Sequence, residues 1–375
     1  MKVATVVGTR PEVIALSRVM SALDRSVEHT LIHTGQNYDY ELNEIFFDQL
    51  KLRHPDVLIK GACHHTGRAN TAIETIGTIM DKLETYFHAY PPDAMLILGD
   101  TNSSLAAAYV AKRLKIPLFH MQAGNRSFDE NLPEEINRRM IDHIADINMP
   151  YSSIARENLL REGLLSERII KTGSPMYEVL CHYFTKIVVS DVLIRMKLEK
   201  KNYFVISCHR EATLDSPENF SKFTLLLTTL GEHFKKRIIV SAHPRLSKAL
   251  GTARFSSPYI EMYKPFGLFD YMKLQKEAFV TLSDSGTITE DASILKFPAL
   301  NLRESTERPE GMEEGVLMMT GLNISRIMKC IPIARSSLAS RPVAAYNVTD
   351  VSNKVVRILM SYTDYVNRTV WRKNV

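Results

Sequence analysis

Residues 2–23 read KVATVVGTRPEVIALSRVMSAL: six mostly apolar, β-branched residues, a glycine, then an amphipathic stretch entered through Pro11. A short apolar run followed by a glycine turn and a 3.6-residue periodicity is the first half of a βα unit. Pro11 falls in the first helical turn, where its missing N–H would have had no intrahelical partner.

The same alternation continues down the chain. Strands are expected at residues 3–7, 30–33, 95–98, 118–120 and 147–149, with helices at 11–23, 40–50, 71–87, 103–114 and 134–144. The pattern weakens after Gly173-Ser174-Pro175, where 177–201 reads as one helix with a charged end. It then restarts, with strands at 203–207, 237–241, 279–282 and 299–301 and helices at 217–233, 269–277 and 286–295. Two successive blocks imply two doubly wound α/β domains, 1–173 and 174–350. Ligands of such folds bind beyond the carboxyl ends of the strands, here in a cleft between the domains. The last segment, 351–370, is an amphipathic helix with no strand after it and crosses back to the first domain. Val355, Ile358, Leu359 and Tyr362 form its apolar stripe.

The 375 residues are 45% hydrophobic and 24% charged, with a net charge of +5, an ordinary globular balance. No basic run interleaved with aromatics is present, so a nucleic-acid partner is not expected. No apolar stretch is long enough to span a membrane, and the apolar N-terminus stops too early for a secretory signal. Cys63, Cys181, Cys208 and Cys330 are far apart and lack CxxC spacing, which points to a reduced, cytoplasmic protein. The triplet Cys63-His64-His65 invites a metal reading, but adjacent residues rarely converge on one ion.

The residues that carry chemistry follow the strands. Gly8-Thr9-Arg10-Pro11-Glu12 is either an ordinary βα turn or an anion cradle with Arg10 forking onto a phosphate. It is not GxGxxG, so no nicotinamide or flavin is expected. Asp100 either caps the next helix or serves a site, and Glu134-Glu135 is either a dipole-satisfying first turn or a catalytic pair. His120 opens the stretch His120-Met121-Gln122-Ala123-Gly124-Asn125-Arg126 after another strand. In the second block His209-Arg210 and His243-Pro244-Arg245 end two strands, and both suit an anion. Ser283-Asp284-Ser285-Gly286-Thr287 is a small-residue turn at a helix start, the shape that holds a diphosphate. An acid one turn later can take ribose hydroxyls. Arg308 offers one more phosphate fork.

Seven motifs in order, GTRPE at 8–12, GDT at 99–101, AGNR at 123–126, PEE at 133–135, HRE at 209–211, DSG at 284–286 and TERPEG at 306–311, resemble the non-hydrolysing UDP-N-acetylglucosamine 2-epimerases. The stretch HTGQNYDYELNE at 33–44 is similar to the branch that forms UDP-N-acetyl-L-fucosamine from UDP-2-acetamido-2,6-dideoxy-L-talose for capsule and O-antigen. The resemblance implies two Rossmann-like domains of GT-B type facing across a cleft, with the C-terminal helix returning to the first. It implies an isomerase working as a homodimer on a UDP-linked N-acetyl amino sugar, without metal or redox cofactor. UDP would be eliminated and re-added through a 2-acetamidoglycal.

Matched motif to motif, the resemblance assigns Asp100, Glu134 and His209 to catalysis, with position 122 beside them. It assigns Arg10, His243, Tyr271, Ser285, Gly286, Thr287, Glu290, Asp291 and Arg308 to substrate or UDP binding. The chain departs from the family at Gln122, where a glutamate is usual, and at Ala15 and Ala212, where the family carries charged residues. An amide exchanges no proton at neutral pH. The alternatives are therefore a UDP-N-acetylglucosamine/mannosamine 2-epimerase, or an impaired homologue that binds UDP-sugar.

Overall fold

The fold is seen in a computed structural model, which describes residues 1–35, 44–60, 71–242, 246–247, 257–336 and 342–373. The chain divides into two compact units, Met1–Val179 with Ala345–Val375, and Leu180–Ala344.

The first unit holds a sheet of β1 (Lys2–Val7), β2 (Glu28–His33), β3 (Val57–Leu58), β4 (Ala94–Leu98), β5 (Leu118–Met121) and β6 (Ile147–Met149). Every pairing is parallel, in the order β3-β2-β1-β4-β5-β6. Helices on both faces leave the central strands with no polar side to show, so all five residues of β4 are buried. Ile79, Leu83 and Phe87 pack from one helix onto Ala4, Val6, Met95 and Ile97. Helix Arg10–Ser26 starts where expected, its Thr9–Glu12 capping box closing the first turn.

The second unit repeats the plan with β7 (Tyr203–Ser207), β8 (Arg237–Ser241), β9 (Ile260–Tyr263), β10 (Val280–Ser283), β11 (Ala299–Asn301) and β12 (Met318–Met319). The order is β12-β11-β10-β7-β8-β9, again wholly parallel. In each sheet the chain leaves the first strand in one direction and later returns to its other side. The reversal lies between β1 and β4, and between β7 and β10. The carboxyl ends of the strands at such a reversal are the usual ligand site of these sheets.

The stretch 177–201 is not one helix but three, Met176–His182, Phe184–Val189 and Val192–Arg195. Ser190 interrupts the run. Its hydroxyl accepts from the Val192 N–H and donates to Asp270, replacing a helical bond with a local one. Tyr183 is kept buried at the first break, its ring 5.5 Å from that of Phe269. The two-residue strands β3 and β12 are too short to show an alternation, and helix Ile324–Ser336 carries Pro332 inside it, which disguises it in sequence. Of the helix expected at 40–50, Glu44–Leu50 is seen; 40–43 lie outside the described residues.

The closing helix, Val351–Thr369, packs on Arg10–Ser26 in the first unit. Val355, Ile358 and Leu359 are buried as expected, but Tyr362 is only half-buried and Thr363 and Val366 complete the stripe. Ser352 ties the start of this helix to Glu178, through its N–H at 2.9 Å and its hydroxyl at 2.5 Å. No helix among the described residues is long and apolar enough to cross a membrane.

Candidate active site

In the first unit the reversal point brings the turns after β1 and β4 together, and a buried carboxylate joins them. Glu12 Oε2 accepts from the N–H groups of Gly8 (2.8 Å) and Thr9 (2.7 Å) and the Thr9 hydroxyl (2.8 Å). Its Oε1 accepts from the hydroxyls of Thr101 (2.9 Å) and Ser104 (3.0 Å). Burial pushes the Glu12 pKa up, against the pull of these donors. The turns meet so closely that a Cβ on Gly8 would stand 2.3 Å from Ser103 Oγ and 2.5 Å from Thr34 Oγ1. Only glycine fits there.

Asp100 follows β4 and is only partly exposed. Arg138 grips its Oδ2 through Nε (3.0 Å) and Nη2 (2.5 Å), and Asn137 donates to its backbone carbonyl at 3.0 Å. The paired acids of helix Pro133–Ile144 separate in role. Glu135 is buried and accepts from Ser127, Phe128 and Arg138. Burial raises its pKa, but the Ser127 N–H and the Arg138 cation hold it below the usual range. Glu134, one position earlier, is exposed. Gln122 sits after β5 in the left-handed conformation, φ 65°, and its Oε1 lies over Gly99, 3.0 Å from where a Cβ there would be. Arg10 is half-buried with its guanidinium 5.6 Å from the Phe46 ring.

In the second unit His209 and the DSG turn meet at the β7–β10 reversal. Asp284 is buried, and its Oδ1 lies 2.9 Å from His209 Nδ1. Its Oδ2 accepts from the N–H groups of His209 and Arg210, both at 2.9 Å. Against burial, the His209 charge and these donors hold the Asp284 carboxyl well below the usual carboxylate range. The imidazole itself stays 43% exposed, able to meet a ligand. Ser285, Gly286 and Thr287 are half-buried ahead of helix Ile288–Leu295, and the Ser285 hydroxyl is 3.0 Å from that of Thr287. Tyr271 turns its hydroxyl onto Ser207 (3.1 Å), and Ser207 meets Ser283 (2.7 Å), whose Oγ accepts from the Ser285 N–H (3.0 Å). That chain braces the turn.

Arg308, expected as a phosphate fork, is buried and ion-paired with Glu290. Arg303 lies beside them, donating to the Asp284 carbonyl (2.5 Å) and to Glu307 (2.6 Å). Gly286 rests on this cluster so tightly that a Cβ would come within 2.3 Å of Glu307 Oε1. Asp291 is buried in the same helix as Glu290. His243 and the Cys63-His64-His65 triplet lie outside the described residues. Four residues enter the site that the sequence reading left without a role: Glu12, Arg138, Asp284 and Arg303. Arg138, one helical turn beyond Glu134, carried a signal in its spacing; the others show their roles only once partners from distant strands are adjacent.

A profile of the UDP-N-acetylglucosamine 2-epimerase family matches residues 21–360. The chain is 33% identical over 352 residues to UDP-N-acetylglucosamine 2-epimerase of Methanocaldococcus jannaschii, covering 89% of this chain and 92% of that protein. The structure of UDP-N-acetylglucosamine 2-epimerase from Rickettsia bellii superposes with a TM-score of 0.91 at 45% identity, covering 100% of both chains. The Methanocaldococcus jannaschii enzyme in complex with UDP-GlcNAc and UDP gives 0.90 at 32% identity, covering 96% of this chain and 99% of that one. The two six-stranded parallel units are of the GT-B type.

Proposed function

The chain belongs to the UDP-N-acetylglucosamine 2-epimerase family, a family of isomerases, and from that premise we propose that it inverts C2 of a UDP-linked N-acetyl amino sugar. The C2 hydrogen of such a sugar is not beside a carbonyl, so simple deprotonation is too costly. Elimination avoids that barrier. A base takes the C2 proton, the C1–O bond breaks with its electron pair leaving on UDP, and C1=C2 forms as a 2-acetamidoglycal. Protonation of C2 on the opposite face and return of UDP to C1 complete the inversion.

This chemistry needs proton-exchanging groups and a site that stabilises departing diphosphate. Asp100 and Glu134 are the proton carriers. His209, oriented by Asp284, faces the charge that builds on the leaving group. The Ser285-Gly286-Thr287 turn holds the diphosphate at a helix start, where backbone N–H groups and the helix dipole favour anions. Arg10 adds a cation, and Asp291 takes ribose hydroxyls. Gln122 hydrogen-bonds the sugar but carries no proton to C2. The observation that carries this reading is the concentration of carboxylates at one reversal point and of the His209–Asp284 pair with the small-residue turn at the other.

For the sugar, residues 33–44 favour the 2,6-dideoxy-L-talo substrate, giving UDP-N-acetyl-L-fucosamine for surface polysaccharide. A second reading, UDP-N-acetylglucosamine itself, is favoured by the names of the relatives and by the UDP-GlcNAc in the Methanocaldococcus jannaschii complex. Incubation with each UDP-sugar in D₂O, followed by NMR of the product, tests both. A C2 epimer carrying deuterium at C2 is the expected result, and the sugar that gives it is the substrate. Tight binding with neither inversion nor exchange would show a UDP-sugar binder instead.

A further inference from the structure

A fully buried histidine stands behind the turn that carries Asp100. His120 lies in β5 with Nε2 2.9 Å from the Gly99 carbonyl oxygen and Nδ1 3.0 Å from Asp142 Oδ1, and both side chains are inaccessible to solvent. The second oxygen of Asp142 accepts from the Gly124 N–H (3.1 Å) and from Arg126 Nη1 (2.7 Å). Arg126 continues to Glu162 at 2.7 and 2.5 Å. Four ionisable side chains, His120, Asp142, Arg126 and Glu162, thus close a network under β4 and β5.

Of the backbone groups the network reaches, two flank Asp100 and Gln122. One is the carbonyl of Gly99, the residue before Asp100; the other is the N–H of Gly124, two residues after Gln122. We propose that His120, held by Asp142, is a positioning residue for the epimerisation: its Nε2–H anchors the Gly99 carbonyl and so sets where the Asp100 carboxyl points. The inference rests on the epimerase reading above. Gly99 sits at φ 74° with no Cβ, so the turn has no steric lock of its own. A carbonyl, moreover, has no proton to give, so Nε2 must be the donor. Arg138 pulls on the Asp100 carboxylate from helix Pro133–Ile144, and His120 holds the backbone from the strand side. The Gly99 N–H donating to the Met121 carbonyl (3.0 Å) and Asn137 on the Asp100 carbonyl (3.0 Å) keep the turn in place. With His120 gone the Gly99–Asp100 peptide is therefore free to rotate between them under the pull of Arg138, and the carboxyl moves. A shift of about 1 Å in a reacting group costs on the order of 100-fold in rate.

Two variants separate positioning from packing. In His120→Asn the amide matches Nδ1 and keeps Asp142 but loses Gly99; in His120→Gln the longer amide places an N–H where Nε2 stood. We expect His120→Asn to lower kcat by about 10- to 100-fold with KM little changed, and His120→Gln to recover roughly tenfold of that loss. Melting temperatures of the two should lie together. Equal kcat values in the two variants, or kcat losses that follow the melting temperatures, overturn the proposal. Should the variants not fold, ¹⁵N-histidine NMR of the wild-type protein at neutral pH decides: a protonated Nε2 is expected, and an unprotonated one overturns the assignment. Wild-type protein that turns over neither UDP-sugar sinks the epimerase reading and this inference together. Wild-type turnover with indistinguishable variants sinks only the inference.

Discussion

Arg308→Ala decides between two roles for one guanidinium. The sequence suggests a phosphate fork, whereas the fold pairs Arg308 with Glu290, the two side chains 7% and 2% exposed. Removing one partner of a buried pair takes the counter-charge from the other in a poorly solvated place, at a cost of about 3–5 kcal/mol. In a unit of this size each kcal/mol moves the midpoint by about 2–4 °C, so the variant should melt about 6–20 °C lower. Replacing both partners with apolar residues, Arg308→Met with Glu290→Leu, removes both charges of the pair and should restore most of that loss. A pure phosphate ligand behaves otherwise. Its loss would leave the melting temperature alone and weaken UDP binding by about 1.5–3 kcal/mol, the worth of one charge-assisted contact. Thermal melts of the single and double variants, with UDP calorimetry well below each midpoint, separate the cases. An Arg308→Ala protein that melts with wild type, or a double variant no more stable than the single, would refute the reasoning.

Gln122→Glu should raise kcat by about 10²- to 10⁴-fold with UDP affinity unchanged, since the carboxylate nearly matches the amide in size and adds a proton carrier; equal deuterium exchange at C2 in both proteins would remove position 122 from the chemistry. Burial pushes the His33 pKa down to about 4 from an ordinary 6.5, so the unfolded chain takes the proton first. Stability from this residue is therefore full above pH 6.5 and falls by about 3 kcal/mol as pH drops to 4. His33→Asn, which keeps an acceptor for the Gly35 N–H, should flatten that slope in urea titrations at pH 4.5 and 7; an unchanged slope would count against it. Removing residues 351–375 uncovers the side chains that Val355, Ile358, Leu359 and Val366 bury, each worth about 1.5–3 kcal/mol. The truncated chain should lose its cooperative melt or melt more than about 10 °C lower; a chain of equal stability would show that this helix is peripheral.

Nine of the twelve described strands, and most of the helices between them, were legible because their causes are local; β3, β9 and β12, two to four residues long at the sheet edges, were not. A short apolar, β-branched run between glycine-bearing turns reads as a strand buried on both faces, and Pro11 or a Thr9–Glu12 box starts a helix wherever the chain goes next. The same locality placed Asp100, His209 and the DSG turn at strand ends. What those side chains do was decided elsewhere. Asp100 meets Arg138 from 38 residues away, and Asp284 meets the backbone of His209 from 75. Glu134 and Glu135 are indistinguishable in sequence, yet only Glu135 is turned inward onto Ser127 and Arg138. Arg308 reads as a ligand for phosphate, and only the fold shows Glu290 beside it. Whether a charge is spent on a neighbour or offered to a substrate depends on which strand ends stand side by side. Periodicity reports which face of an element is apolar and is silent on sheet order; the returns that set β4 against β1 and β10 against β7 arise only when the whole chain packs.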